Sequence, residues 1–167
     1  MSVRISVLGS GSRGNSTLIS TEKTRLLIDA GFSKRETYAR LASAGQPTNG
    51  FDAIVISHEH IDHVRGLETL ALDLKAPIYI SSATREAIPW GRPVQAFELF
   101  SAGEAFTIGD IEVTPFTIPH DAADPVAFRL RPLQPTGALM AHGLTGLRNG
   151  GVEVLTRIAA PPRWKSR

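Results

Sequence analysis

Three histidines and an aspartate fall within the six residues His58-Glu59-His60-Ile61-Asp62-His63. An apolar, β-branched run directly before them, Ile54-Val55-Ile56, is typical of a buried strand. Where a strand gives way to a loop, residues two apart point the same way, so His58 and His60 can converge on one point. Asp62 and His63 come one turn later and can face a second point nearby.

Neutral imidazole and carboxylate are ligands of borderline divalent cations such as zinc, manganese and iron. The chain has no cysteine, which excludes thiolate ligands and disulfides and fits a reducing cytoplasm. The pattern therefore predicts a metal site with His58, His60, Asp62 and His63 as candidate ligands. The alternative is a polar loop in which these histidines occur by coincidence.

Three further segments accompany this motif, namely LGSGSRGNS at residues 8–16, LLIDAG at residues 26–31 and PHDA at residues 119–122. Together with the histidine motif they resemble the metallo-β-lactamase superfamily, and within it the small bacterial exonuclease-like hydrolases. The resemblance covers about residues 1–130. It implies a mixed α/β fold, the metallo-β-lactamase-like αββα sandwich, which we expect to be incomplete in its second half.

The resemblance also implies roles for residues distant in the chain. His120 follows a predicted strand and would complete a three-histidine set with His58 and His60, since catalytic zinc sites commonly have three protein ligands. Asp62 and His63 would supply part of a second metal site, and they are the candidate catalytic residues. Taken alone, His120 would be a surface loop residue.

Other residues would support the ligands without binding the metal. The resemblance places Gly11 and Asn15 in a tight loop at the edge of the active site, and it places Asp29 behind the metal ligands. Taken alone, Asp29 would be a turn residue at the end of a strand. Glu59 lies between two histidines that point inward, so we expect it to be a supporting or surface residue rather than a ligand.

The glycine loop also allows a different interpretation. Gly9, Gly11 and Gly14 fit the G-x-G-x-x-G pattern of dinucleotide-binding proteins, with Asp29 twenty residues beyond Gly9. That pattern requires a helix to begin at the glycines. Residues 15–20 and 25–29 instead indicate two short strands joined by a turn. A dinucleotide-dependent oxidoreductase is therefore the weaker alternative.

The remaining chain mixes helices and strands. Ser33 followed by Glu36 predicts a capping box that opens a helix to Ala44, and residues 64–74 have a helical apolar period. Residues 51–56 and 77–80 indicate buried strands, and from Phe97 onward a period of two predicts a β-meander. Helices and strands in this order suit two sheets packed face to face with helices outside.

Charge divides the chain into two parts. Residues 1–130 carry 12 Lys and Arg against 15 Asp and Glu, net −3, whereas residues 131–167 carry six against one, net +5. We therefore expect a domain at residues 1–130 and an atypical basic tail at residues 131–167, partly disordered. The first part lacks the basic field of a strong nucleic-acid binder. No apolar stretch is long enough to span a bilayer, and we expect a cytoplasmic protein.

The pattern departs from the family after residue 130. Two-metal members have a later aspartate that bridges the metals, and a final histidine. This chain has no aspartate after Asp124, and its one later histidine, His142, matches no family motif and is expected in a solvated loop. We therefore expect a truncated or frame-shifted version of a longer hydrolase, with a weak second metal site and low activity.

The resulting prediction is a metal-dependent hydrolase, a phosphodiesterase or nuclease that attacks its nucleic-acid substrate with a metal-activated water. Zinc is the expected metal, with manganese or iron as alternatives and one or two ions bound. A hydrolase of thioesters, lactones or β-lactams with the same ligands is an alternative, because specificity lies in loops. Another is a metal-binding fragment without activity. An uncovered sheet edge would favour a homo-oligomer.

Overall fold

Runs of buried aliphatic residues build two β-sheets that face each other across an apolar core. The computed structural model describes residues 2–94, 96–133, 138–142, 146–148 and 151–154. The sheet with seven strands carries the candidate ligands His58, His60, Asp62 and His63 at one edge, and the sheet with five strands, whose loop carries His120, covers its inner face. The positions of the candidate ligands follow from where each strand ends.

The first sheet has the spatial order β10-β1-β2-β3-β4-β5-β6. Strands β2 and β3 form the predicted antiparallel hairpin, and β3, β4, β5 and β6 are parallel to one another. The strands are β1 (Ser2–Gly9), β2 (Ser16–Ser20), β3 (Arg25–Ile28), β4 (Ala53–Val55), β5 (Ile78–Ser81), β6 (Phe97–Phe100) and β10 (Ala138–His142). The carboxyl ends of the parallel strands therefore meet at one edge, where loops can bring distant residues together.

The second sheet has the order β11-β12-β9-β8-β7, and all its neighbouring strands are antiparallel. Its strands are β7 (Phe106–Ile108), β8 (Ile111–Thr117), β9 (Val126–Pro132), β11 (Gly146–Arg148) and β12 (Gly151–Val154). The predicted meander thus begins at β7 rather than at Phe97. The earlier strand β6 lies in the first sheet, because Phe97 packs on Trp90 beneath the helices.

Four helices complete the described part of the chain, namely α1 (Lys34–Ser43), α2 (Ile61–Val64), α3 (Leu67–Leu74) and α4 (Ser82–Ala87). The Ser33 hydroxyl caps α1 by accepting from the Glu36 amide at 3.3 Å, but the Glu36 carboxylate pairs with Arg40 instead of closing the predicted box. The helix predicted at residues 64–74 is interrupted at Gly66, whose amide donates to the Ala30 carbonyl.

Two apolar cores lie on either side of the first sheet. The core between the sheets includes Ile5, Ile28, Val55, Val113 and Phe128, and the core between the first sheet and the helices includes Leu27, Leu41, Ile54, Leu67 and Leu70. Adjacent residues of one strand, such as Leu27 and Ile28, enter opposite cores because side chains alternate along a strand. The described residues thus supply a helix layer and both sheets of the predicted αββα sandwich. No helix among them is long and apolar enough to cross a bilayer.

Strands β10, β11 and β12 lie within the segment predicted as an atypical basic tail. His142 belongs to β10, where its backbone pairs with Ser6 of β1, so the prediction that it lies in a loop is wrong. Strand β10 pairs with the outer side of β1 and so provides hydrogen-bond partners for the backbone amides and carbonyls on that side. Residues 155–167 lie outside the described residues. The domain division, the disorder of the tail, self-association and the cytoplasmic location stay predictions.

Replacing Phe128 by alanine tests the core between the sheets. Phe128 is fully buried and meets Phe100 edge to face, with ring centroids 5.8 Å apart. We expect Phe128→Ala to lower the free energy of unfolding by about 3–5 kcal/mol, because the surrounding sheets cannot collapse into the cavity. Urea denaturation measures this change. Leu99→Ala, at a side chain 54% exposed, should change stability by only about 0.5 kcal/mol; equal losses would contradict the assignment.

Candidate metal centre

Asp29 and the loop of residues 57–63, the metal loop, lie where adjacent parallel strands end. Asp29 directly follows β3, and Ser57 and His58 follow β4, its neighbour in the sheet. The Asp29 amide donates to the Val55 carbonyl at 2.9 Å, which extends the pairing of the two strands by one residue. The backbone of Asp29 then turns with φ of 60°, a conformation that aspartate adopts more readily than most residues. The carboxylate is thereby directed at the loop after β4.

His58, His60 and His120 converge on one point. Their ring centroids are 4.9, 4.7 and 4.8 Å apart, a nearly equilateral triangle. One nitrogen from each ring can be chosen so that all three lie within 4.8 Å of one another. His58 is buried, whereas His60 and His120 are partly exposed. The site is therefore open to solvent on one side and has the donor set of a catalytic zinc site.

The hydrogen bonds of each ring indicate which nitrogen faces this point, because the partner of one ring nitrogen sets the tautomer. The Ser57 hydroxyl donates to Asp29 Oδ2 at 2.9 Å, so its oxygen accepts from His58 Nδ1, also at 2.9 Å. His58 Nε2 then keeps its lone pair. This atom is buried and has no hydrogen-bond partner among the described residues.

The same argument applies to the other two rings. His60 Nε2 donates to the Asp121 carbonyl at 3.1 Å, and His120 Nδ1 lies 3.0 Å from the Asp121 carboxylate. The nitrogens left over are His60 Nδ1 and His120 Nε2, which face each other at 3.1 Å. Two lone pairs at this distance repel each other unless a proton or a cation lies between them. A positive charge among the three rings would therefore stabilise the cluster.

Burial lowers the pKa of His58 to about 4, and the neighbouring His63 adds to this effect by charge repulsion. Asp29 opposes the shift, while His120 and His60 reinforce it. His58 is thus neutral near pH 7. A neutral imidazole binds a cation without first losing a proton, which favours metal binding.

Behind the cluster, the buried carboxylate of Asp29 holds the loop in place. Asp29 Oδ1 accepts from the Ser57 amide at 2.9 Å, and Oδ2 accepts from the Ser57 hydroxyl at 2.9 Å and from His63 Nδ1 at 2.7 Å. Burial acts to lower the pKa of His63, but the adjacent Asp29 and Asp62 carboxylates outweigh it and raise that pKa. Asp29 is 1% exposed and does not face the cluster directly.

Asp62 and His63 lie next to each other, and the His63 ring centroid is 4.0 Å from that of His58. Asp62 Oδ2 and His63 Nε2 are 3.6 Å apart, and the side-chain amide of Asn15 lies between them. Asn15 Nδ2 is 2.9 Å from Asp62 Oδ2 and 3.0 Å from His63 Nε2, and it also donates to the Gly11 carbonyl at 3.0 Å. The structure thus brings the predicted second-site residues together, but with an amide at their centre.

Two residues that the sequence left without a role have one in the structure. Ser57 is fully buried and connects Asp29 to both His58 and His63. Asp121 contacts two of the three clustered histidines. Their positions next to His58 and His120 were the available signal. Glu59 accepts from the Ala123 amide at 2.8 Å and so braces the loop that carries His120.

Comparison with known proteins gives a consistent result. The sequence profile of the Metallo-beta-lactamase superfamily matches residues 9–155, past residue 130, where the recognisable motifs end. The chain is 38% identical over 131 residues to exodeoxyribonuclease YycJ of Bacillus anthracis, and 34% identical over 131 residues to exodeoxyribonuclease WalJ of Streptococcus pneumoniae serotype 2. These matches cover 77% and 75% of this chain but 50% and 49% of the relatives. The chain therefore spans about half the length of the curated relatives it matches.

Solved structures show the same fold. A metallo-beta-lactamase of Cronobacter sakazakii superposes with a TM-score of 0.65 at 19% identity, over 77% of this chain and 55% of that one. A B3 metallo-beta-lactamase with an active-site glutamic acid gives a TM-score of 0.66 at 18% identity, over 78% and 55%. The similarity establishes the metallo-β-lactamase fold for the described sandwich, and at this identity it carries no information on substrate.

Replacing Gly31 by alanine tests the packing that joins the glycine loop to the metal loop. A Cβ at Gly31 would overlap the Asp62 carbonyl oxygen and lie 2.6 Å from the Asn15 amide nitrogen. Because both atoms belong to the backbone, we expect Gly31→Ala to cost about 1–3 kcal/mol of stability, measured by thermal unfolding. In Gly91→Ala the new Cβ would come no closer than 3.6 Å to another atom, so this control should unfold close to the wild-type temperature. A neutral Gly31→Ala would contradict this close approach.

Proposed function

Because the chain belongs to the metallo-beta-lactamase superfamily, we propose that it is a metal-dependent hydrolase of phosphodiester bonds in nucleic acid. The observation that carries the proposal is the convergence of one nitrogen from each of three imidazole rings on one point. The substrate class is supported by two relatives named exodeoxyribonucleases. Each of these relatives is about twice as long as the matched segment, so the activity of the whole protein is part of the proposal.

The residues present fit a divalent cation. His58 Nε2 is a buried polar atom with no partner among the described residues, and such an atom costs free energy unless something binds it. Three imidazoles and no thiolate suit zinc, with manganese and iron as alternatives. Each of the three rings has its other nitrogen within 3.1 Å of a protein oxygen. Such bonds fix the orientation of a metal-binding ring.

In the proposed reaction, His58, His60 and His120 would hold the cation at the edge of the sheet. A bound divalent cation supplies Lewis acidity and a water that is nucleophilic near neutral pH. Asp62, with 23% of its side chain exposed and its carboxylate oriented by Asn15, lies next to His63, whose ring centroid is 4.0 Å from that of His58. It can accept a proton from the attacking water or orient it toward phosphorus. Ser57 and Asp29 keep the rings in place and do not touch the substrate.

A second cation at Asp62 and His63 would bind more weakly than the first. The Asn15 amide has two hydrogens but faces four polar atoms, namely the carbonyls of Gly11 and Asp62, Asp62 Oδ2 and His63 Nε2. The amide therefore satisfies Asp62 Oδ2 and His63 Nε2 only in part, and a cation could bind the acceptors that remain. A cation there must nevertheless displace or share contacts that the amide already makes. We propose a tight first site and a weak second one.

Metal analysis tests the three-histidine site. We expect purified protein dialysed against zinc to retain about one tightly bound equivalent, and His58→Ala and His120→Ala each to lose it, because a site of three ligands rarely survives with two. Elemental analysis by mass spectrometry measures the metal. Glu22→Ala, an exposed carboxylate in the β2–β3 turn at the end of β3 opposite Asp29, should retain it. Unchanged metal content in both histidine variants would refute the site.

Turnover with three small substrates tests the reaction class. We expect hydrolysis of bis(p-nitrophenyl) phosphate and little or none of a lactone or a thioester. The His58→Ala and His120→Ala variants should lose about 100-fold or more in rate, because Lewis-acid stabilisation of several kcal/mol is removed. Preference for the lactone or thioester would favour the alternative hydrolases. Tight metal binding without turnover of any substrate would indicate a metal-binding module.

A further inference from the structure

A cleft of about 890 Å³ lies at the glycine loop, and none of the three clustered histidines lines it. Its walls are the loop of residues 9–14 and the start of helix α1, and three arginines line it, Arg13, Arg40 and Arg65. The proposed reaction does not use this cleft. Its charge and its position next to the metal centre nevertheless point to a ligand.

The cleft is a positive region within the part of the chain that has a net negative charge, residues 1–130. Residues 1–130 have a net charge of −3, yet the cleft contains three arginines and one acidic residue, Glu36. Glu36 is paired with Arg40 at 2.8 Å, which leaves Arg13 and Arg65 without a carboxylate partner among the described residues. Both arginines are exposed. Arginine in such a position favours phosphate, because its planar guanidinium matches the phosphate oxygens with two parallel hydrogen bonds.

Packing contacts and hydrogen bonds fix the walls of the cleft. Arg40 donates to the Leu8 carbonyl at 2.7 Å and lies over the Phe32 ring, 4.2 Å from its centroid. Gly9 and Gly14 press against the same ring so closely that an added Cβ would come within 2.5 Å of it. Arg65 Nη1 donates to the Arg13 carbonyl at 3.3 Å, which ties these two residues to one another.

The glycine loop leaves its backbone accessible from this side. Gly11 has φ of 135°, and a Cβ there would meet no other atom within 4 Å. A side chain at this position would therefore fill open space next to Ser10 and Ser12, which also line the cleft. Without one, an anion can approach backbone amides and serine hydroxyls as well as the arginines.

The cleft and the metal centre share one wall. Gly11 exchanges two hydrogen bonds with the Asn15 side chain, at 2.9 and 3.0 Å, and the same side chain contacts Asp62 and His63. Arg65 follows His63 by two residues along the chain. A polyanion with one phosphate at the metal centre would therefore present its neighbouring phosphates to Arg13 and Arg65.

We propose that this cleft binds backbone phosphates of a DNA strand next to the bond that is cleaved, with Arg13 and Arg65 as the phosphate ligands. This inference rests on the proposed nuclease function and extends it, because it assigns a polymeric substrate rather than a small diester. It also explains how residues 1–130, which have a net charge of −3, can hold a polyanion. The attraction comes from a local pair of arginines and not from the net charge.

Binding of a fluorescein-labelled single-stranded oligothymidylate, followed by anisotropy at several salt concentrations without added metal, tests the cleft. Each phosphate contact with a single strand contributes about 0.7 to the slope of log K against log salt. We therefore expect the double variant Arg13→Gln/Arg65→Gln to lose about 1.4 from the wild-type slope, two contacts at that value. The double variant Arg13→Lys/Arg65→Lys should keep it, because counterion release requires only the charge.

A matched control removes two positive charges elsewhere. Arg92 and Lys75 are exposed and do not line the cleft, so Arg92→Gln/Lys75→Gln should bind with the wild-type slope. A wild-type protein that does not bind the oligonucleotide, an unchanged slope in the Arg13 and Arg65 variant, or an equal loss in the control would each overturn the proposal. Thermal unfolding confirms that every variant is folded.

Two further measurements distinguish a DNA strand in the cleft from a free phosphate there, and binding in the cleft from hydrolysis at the metal centre. Inorganic phosphate and thymidine monophosphate should compete only at far higher concentration than the oligonucleotide; equal competition would assign the cleft to a free phosphate and overturn the strand proposal. Hydrolysis of bis(p-nitrophenyl) phosphate by the wild type reports on the metal centre and not on the cleft, because this substrate has no neighbouring phosphate. Absence of this hydrolysis in the wild type would contradict the proposed function, whereas the salt slope and the phosphate competition decide the cleft.

Discussion

The buried carboxylate of Asp29 is the constraint on which the metal centre depends. It is 1% exposed and accepts three hydrogen bonds, from the Ser57 amide, the Ser57 hydroxyl and His63 Nδ1. An unpaired buried carboxylate would cost several kcal/mol, so these partners are held to it strongly. Because Ser57 directly precedes His58, the same bonds fix the start of the metal loop. The orientation of His58 therefore follows from a residue outside the three-histidine cluster.

A chain of contacts carries this constraint to the other ligands. His58 determines where His60 and His120 can converge, and Asp121 bonds to both of the latter rings. Since His120 comes from the second sheet's β8–β9 connection, the site joins the two sheets at their common edge. Burial between the sheets thus sets the distance between ligands that are 62 residues apart along the chain. A change in the packing between the two sheets would therefore also change the arrangement of the three histidines.

Much of this site could be predicted from the sequence because its geometry is local. Two histidines two residues apart after a buried strand have few ways to point, and the structure places His58 and His60 as expected. The start of α1 was also predictable, since the Ser33 cap is a local interaction. The break at Gly66 was not, because it depends on close approach to the Phe32 carbonyl, which is distant in the chain. The same holds for β6, whose sheet is chosen by packing against Trp90, and for the Asn15 contacts with Asp62 and His63.

The pairing of β10 with β1 has a consequence for how the protein is made. Strand β1 precedes the other described strands in the chain, whereas the strand that covers its outer side comes from Ala138–His142. Until that segment is synthesised, β1 exposes a row of unpaired amides and carbonyls that can capture another chain. Contacts between such distant segments also slow folding, because a long loop must close before they form. A chain in which β10 has not yet paired with β1 therefore has an open sheet edge that favours aggregation.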